Sequence, residues 1–155
     1  MDEIYLQCAI DLASANVTRG DGGPFGAVIV CDGDIIAEGW NRVIVANDPT
    51  AHAEIVAIRA ACSRKGHFHL PGCTLYTSSE PCPMCLAAAY WARVERIVFA
   101  NSREQAAAIG FCDENLYGEL QLPLQQRHIA TCHLPLPDAD LPLRRWLANP
   151  GHRCY

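Results

Sequence analysis

Two short motifs constrain this chain more than anything else in it: His52-Ala53-Glu54 and Pro81-Cys82-Pro83-Met84-Cys85. One imidazole and two thiols are donors that suit zinc. A catalytic zinc takes three protein ligands and leaves a fourth position open. For His52, Cys82 and Cys85 to serve one ion, two segments distant in sequence must end at the same point. Cys82 and Cys85 lie about one helical turn apart, so one helix can aim both sulfurs at that point. Pro81 and Pro83 suit a helix entrance, where a missing N–H costs nothing. The pattern predicts a helix from Cys82 toward Trp91. Its N-terminus favours thiolate over thiol, the form zinc requires. Asp48-Pro49-Thr50 predicts a second helix start beside His52.

Glu54 separates catalysis from structure. A structural zinc has four protein ligands and no use for a free carboxylate nearby. A hydrolytic zinc makes hydroxide available by lowering the pKa of water to about 7, and then needs a proton carrier. Glu54 can accept the proton of the water, pass it to a ring nitrogen and help protonate a departing amine. Taken singly, His-x-Glu describes many solvated helix residues, and Cys-x-x-Cys also fits a redox pair or a structural half-site. Together, in this order, they form the signature of zinc deaminases that act on nucleobases.

The 155 residues, half of them apolar, suit a single globular domain spanning 1–155. No apolar run approaches the ~20 residues of a membrane span. Met1-Asp2-Glu3 lacks the basic start of a secretory signal, so a cytoplasmic protein is expected. Seven of the nine cysteines lie outside the zinc motif, at irregular spacing. They are expected to be buried, reduced small hydrophobes and not a disulfide framework. The net charge of −5 argues against a broad phosphate-binding face and favours a small neutral substrate over nucleic acid.

Apolar spacing predicts a helix over 4–18, stopped by Gly20 to Pro24. Strands are expected at 25–31 and 35–40, joined by an Asp32-Gly33 hairpin. A helix over 50–63 and a strand over 73–78 follow, the strand ending where the cysteine motif begins. After the cysteine helix come a strand at 96–100, helical residues over 103–120 interrupted at 109–113, a fifth strand at 128–134, and a last helix near Leu141 to Leu147. The sum is a three-layer α/β/α domain with a mixed sheet of about five strands. Ligands in such sheets bind outside the carboxyl ends of the strands, where the cysteine motif falls.

With these residues in view, the chain resembles the cytidine-deaminase-like superfamily. More narrowly it resembles the small bacterial guanine deaminases over nearly its whole length. The likeness is carried by Gly23-Pro24-Phe25-Gly26-Ala27-Val28, by the segments from Asn47 to Glu54 and from Tyr76 to Cys85, and by Tyr90-Trp91-Ala92-Arg93. Gly110-Phe111, Asp113 and the closing Tyr155 complete it. The resemblance implies one zinc per chain and hydrolysis of guanine to xanthine and ammonia by attack of an activated water at C2. It implies Glu54 as proton shuttle and Asp113 as the acid that contacts the amine. Asn41 would hydrogen-bond the purine, Phe25 would pack on it, and Tyr155 would close the pocket. A homodimer is also implied, with room for exchange of the C-terminal segment, in which case Tyr155 would serve the neighbouring site. The chain departs from the pattern at Cys112, where these enzymes commonly carry an acid, so Asp113 stands alone.

Related deaminases acting on guanosine, cytosine, cytidine, another aminated heterocycle or tRNA adenosine share the zinc motifs. A zinc-stabilised binding protein would share the ligands without needing Glu54. A thiol redox protein would use Cys82 and Cys85 without zinc. From the residues alone, Asn41 could simply end a strand, Phe25 could be core, Asp113 could cap a helix and Tyr155 could be a frayed terminus.

Overall fold

β-Branched and apolar side chains run without interruption through Val28-Ile29-Val30, the pattern of a strand buried on both faces. A computed structural model describes residues 1–155 and places this segment, β1 (Gly26–Cys31), inside a four-stranded sheet. The other strands are β2 (Asp34–Trp40), β3 (Cys73–Ser79) and β4 (Arg96–Asn101), in the order β2-β1-β3-β4. β1 pairs antiparallel with both β2 and β3, and β3 pairs parallel with β4, so the sheet is mixed. The hairpin turns at Asp32 and Gly33, both at positive φ, as a tight two-residue turn requires.

The chain divides into two compact units, Met1–Glu114 and Asn115–Tyr155. In the first, helices cover both faces of the sheet. α1 (Asp2–Arg19) lays Tyr5, Leu6, Cys8 and Leu12 against Val28, Val30 and Tyr76. The opposite face packs α3 (Ala53–Lys65) and α4 (Pro83–Trp91) through small side chains, among them Ala53, Ala57, Ala61 and Ala89. Gly39 in β2 allows the close approach of α3: a Cβ there would collide with the backbone oxygen of Ala53 and the backbone nitrogen of Ala57. A short α2 (Val43–Ala46), not predicted from the sequence, fills the connection before His52. α5 (Arg103–Ala108) follows β4 and starts on a capping box between Ser102 and Gln105.

The second unit contains most of α6 (Glu114–Gln121), a 3-10 turn at Leu124–Gln126 and α7 (Leu141–Ala148). The expected fifth strand at 128–134 does not form, and the sheet has four strands. Those residues are exposed, and their alternation of apolar and polar side chains lacks the neighbouring strand that pairing demands.

The expectation of seven reduced, buried cysteines is also corrected. Cys31 and Cys73 face each other in register across β1 and β3, with Cα atoms 4.4 Å apart, and are joined as a disulfide. Cys112, Cys132 and Cys154 are exposed, and Cys8 and Cys62 are half-buried.

Candidate metal centre and active site

One edge of the sheet gathers the chemistry. β1 begins there, and β2, β3 and β4 end there, because Gly26 pairs with Trp40 and Ser79 pairs with Asn101. Phe25 precedes β1, Asn41 follows β2, and the cysteine motif follows β3. Each of the two helices that rise from this edge begins on a metal-binding residue. His52 is the N-cap of α3 and Cys82 the N-cap of α4, both with extended backbone, and Pro83 enters the first turn of α4. The donor atoms of His52, Cys82 and Cys85 lie within 4.8 Å of one another. Nδ1 of His52 is 3.6 Å from each sulfur, which identifies it as the ligating nitrogen. An imidazole nitrogen and two sulfurs converging this closely fit a single tetrahedral zinc with one position left over.

The site biases these groups before any metal arrives. A hydrogen bond from Cys85 brings the Cys82 thiol down to about 4, against the opposing effect of burial, and His52 adds to the lowering. The same bond, with burial, pushes the Cys85 thiol above the ordinary thiol range. The hydrogen bond with Cys82 raises the pKa of His52, again against burial.

Glu54 sits in the first turn of α3 and is buried. Its Oε2 is 3.5 Å from Sγ of Cys85, and its Oε1 accepts from the Thr77 hydroxyl at 3.4 Å. Burial raises its pKa above that of an exposed glutamate, and the neighbouring Cys82 adds to the rise. A carboxyl so placed can both take and return protons beside the metal position.

Asn41 is buried, and Oδ1 of its carboxamide accepts from the backbone N–H groups of Gly23 and Val43 at 3.1 and 3.2 Å. Phe25 meets Phe111 edge to face, with ring centroids 4.8 Å apart. Asp113 has its pKa raised by partial burial and, secondarily, by the Cys82 charge. Tyr155 ends the second unit and is exposed. The structure therefore unites His52, Glu54, Cys82 and Cys85 in direct contact, with Phe25 and Asn41 on the same sheet edge. Sequence reasoning assigned no part to Thr77 or to the ring of Phe111. Thr77 was signalled by its place two residues before the end of β3 and by lying in the Tyr76–Cys85 segment that carries the resemblance.

Residues 1–101 match the cytidine and deoxycytidylate deaminase zinc-binding region. The chain is 49% identical to the guanine deaminase of Bacillus subtilis over 144 residues, covering 93% of this chain and 92% of that one. The X-ray structure of guanine deaminase from B. subtilis superposes with a TM-score of 0.97 at 47% identity, covering 99% and 98% of the two chains. A tRNA-specific adenosine deaminase of Aquifex aeolicus is 42% identical over 138 residues, covering 89% of this chain and 88% of that one. With its zinc donors converged and its fold matched end to end, this chain belongs to the cytidine and deoxycytidylate deaminase zinc-binding family.

Proposed function

We propose that the protein is a zinc-dependent guanine aminohydrolase, converting guanine and water to xanthine and ammonia in a single deaminase domain spanning 1–155. The observation that carries a hydrolytic reading is Glu54: a buried carboxylate in contact with Cys85 yet not needed to complete the donor set. Nearly full-length similarity to a guanine deaminase supports guanine as the base. The tRNA-specific relative is similar over most of the chain, but a net charge of −5 does not favour an RNA-binding face.

In this reading His52 Nδ1, Cys82 and Cys85 hold the ion. Zinc, when bound there, lowers the pKa of a water to about 7 and supplies hydroxide near neutrality. Glu54 takes one proton from the attacking water to a ring nitrogen as the C2–O bond forms, then carries the second proton of that water, from the new C2 hydroxyl, to the amine as the C2–N bond breaks. Thr77 holds Oε1 of Glu54 during these transfers. Phe25, braced by Phe111, packs on the purine, Asn41 hydrogen-bonds its edge, and Asp113 contacts the amine that leaves. Tyr155 closes the pocket.

A homodimer in the cytoplasm completes the proposal, with exchange of the C-terminal segment as one way to build it. Tyr90 and Trp91 at the end of α4 are exposed, beside a groove of about 280 Å³ lined by Leu86, Tyr90, Val94 and Ile97 together with the charged Glu95 and Arg96. Large exposed rings beside a largely apolar groove with a charged rim support burial against a second copy. No helix is long and apolar enough to cross a membrane.

The test is ammonia release from guanine, guanosine, cytosine, cytidine and adenine, with zinc measured on the same sample. Turnover of guanine with one zinc per chain is expected. Activity confined to a pyrimidine would remove the substrate assignment, and zinc without any turnover would favour a binding protein.

A further inference from the structure

We propose that Asn16, on α1 and outside the set of groups that touch the base, is the positioning residue that fixes which face of Asn41 the base meets. This rests on the guanine reading above. Asn16 belongs to the buried stripe of α1 together with Ala9 and Ala13, and it is completely inaccessible. Asparagine is a poor choice there on helix propensity alone. Its Nδ2 donates twice, to the backbone oxygen of Gly23 at 2.8 Å and to that of Asn41 at 2.9 Å. The orientation is forced, because a flipped carboxamide would set its oxygen against two carbonyl oxygens. Oδ1 of Asn16 is left buried with no hydrogen-bond partner. An unpaired buried acceptor costs about as much as two donated bonds return. The energy of its own hydrogen bonds does not by itself say what the residue is for.

Geometry does. Gly23 is gripped from both sides: its oxygen by Asn16, its N–H by Oδ1 of Asn41. Asn16 also holds the backbone of Asn41 itself. The Asn41 oxygen is fully engaged by Gly23 and Val43, while its Nδ2 makes no hydrogen bond within the chain. Gly22 leaves the room this needs, since a Cβ there would collide with Oδ1 of Asn41. By fixing the Gly23 and Asn41 backbones, Asn16 keeps the Gly23 N–H on Oδ1 of Asn41 and so leaves that carboxamide a one-sided donor. The base must offer a carbonyl oxygen or an unprotonated ring nitrogen to that donor, and an amino group in the same place is rejected.

The test is a double-mutant cycle read on binding and kinetics. Asn16→Leu keeps the volume and removes the donors. It is expected to raise KM for guanine by about tenfold or more, one lost hydrogen-bond's worth of affinity, with kcat changed far less and zinc content unchanged. Equilibrium dialysis of labelled guanine in a Glu54→Gln background, where turnover does not interfere, should show the same weakening. In an Asn41→Ala background, Asn16→Leu should change guanine affinity by less than about twofold, because a residue acting only through Asn41 has nothing left to act on. Should Asn16→Leu fail to fold, Gly22→Ala displaces the Asn41 carboxamide from the other side and should raise KM in the same way. Additive losses in the double mutant, unchanged KM in both variants, or a fall in kcat with loss of zinc would each overturn the role. If the Glu54→Gln protein binds no guanine but binds another base of the panel, the substrate assignment fails on its own, and the cycle is read with that base.

Discussion

The hydroxyl of Thr77 donates to Oε1 of Glu54 at 3.4 Å, inside a site where both side chains are almost fully buried. Burial raises the pKa of Glu54. A donor aimed at a carboxylate favours its ionised form, so the Thr77 hydroxyl is expected to oppose that rise. Thr77→Val keeps the shape and deletes the donor. The acid limb of kcat/KM, already above the range of an exposed glutamate, should move to higher pH. A loss of about 1 kcal/mol corresponds to roughly fivefold lower kcat/KM at neutrality. The pH–rate profile of the two proteins decides it, and an unmoved limb would show that the hydroxyl does not govern Glu54.

Glu54→Gln preserves size and removes the proton carrier. It should retain one zinc and the native thermal transition while losing about 10²–10⁴ in kcat, the usual scale for general acid–base groups. Zinc analysis beside an ammonia assay checks this. Substantial residual turnover would contradict the shuttle role.

Zinc affinity should depend on pH across neutrality. Cys82 is ionised there without metal, but Cys85 keeps its proton, held by the hydrogen bond to Cys82 and by burial. Zinc must displace that proton, and as pH falls the raised pKa of His52 adds a second competitor. Displacing one proton weakens apparent binding by about tenfold per pH unit of acidification. Chelator competition at several pH values measures the slope, and a flat profile would refute it.

The N-terminus is clamped by Asp2, which accepts from the Tyr76 hydroxyl at 2.6 Å and from Nη1 of Arg96 at 3.0 Å. Hydrogen bonds from Arg96 and then Tyr76 hold the Asp2 carboxyl down at about 2, while burial and Asp2 push the Tyr76 phenol up to about 12. The Asp2 contribution is complete above the unfolded value of about 3.9 and is lost as pH falls toward 2. The Tyr76 contribution is complete below about 10 and is lost as pH rises toward 12. Asp2→Asn should lower Tm at neutral pH and flatten its decline between pH 4 and pH 2. Thermal melts across that range provide the check, and an identical acid decline would dismiss the clamp.

Reduction of the Cys31–Cys73 disulfide should lower Tm while leaving zinc content and kcat unchanged. Cys73 opens β3 and Ser79 closes it at the site, so the two ends are about 20 Å apart at the rise of an extended strand. Melting curves and assays with and without reductant test the separation. A parallel loss of activity would mean that the sheet transmits the change.

Much of this site was legible because its information is local. Pro81 and Pro83 around Cys82, the one-turn spacing to Cys85 and the helix start before His52 are short-range features. They predict two helix entrances, and the structure has both, each on a metal-binding residue. The fifth strand failed for the opposite reason. Residues 128–134 show a strand-like alternation, but a strand exists only against a partner, and no sequence window contains one. The pairing of Cys31 with Cys73 escaped notice likewise, since it depends on the register of β1 against β3.

The sequence by itself pointed to the metal donors, to Glu54 as the proposed proton carrier, and to the order of helices and strands through β4 apart from the short α2, because residue type and short spacing dictate them. Tertiary structure alone decided that Thr77 reaches Glu54, that Phe111 meets Phe25, and that Asn16 holds the backbone oxygen of Asn41. Each of those contacts joins residues far apart in the chain, and only the packing of α1, α3 and the segment after α5 around the sheet brings them within reach.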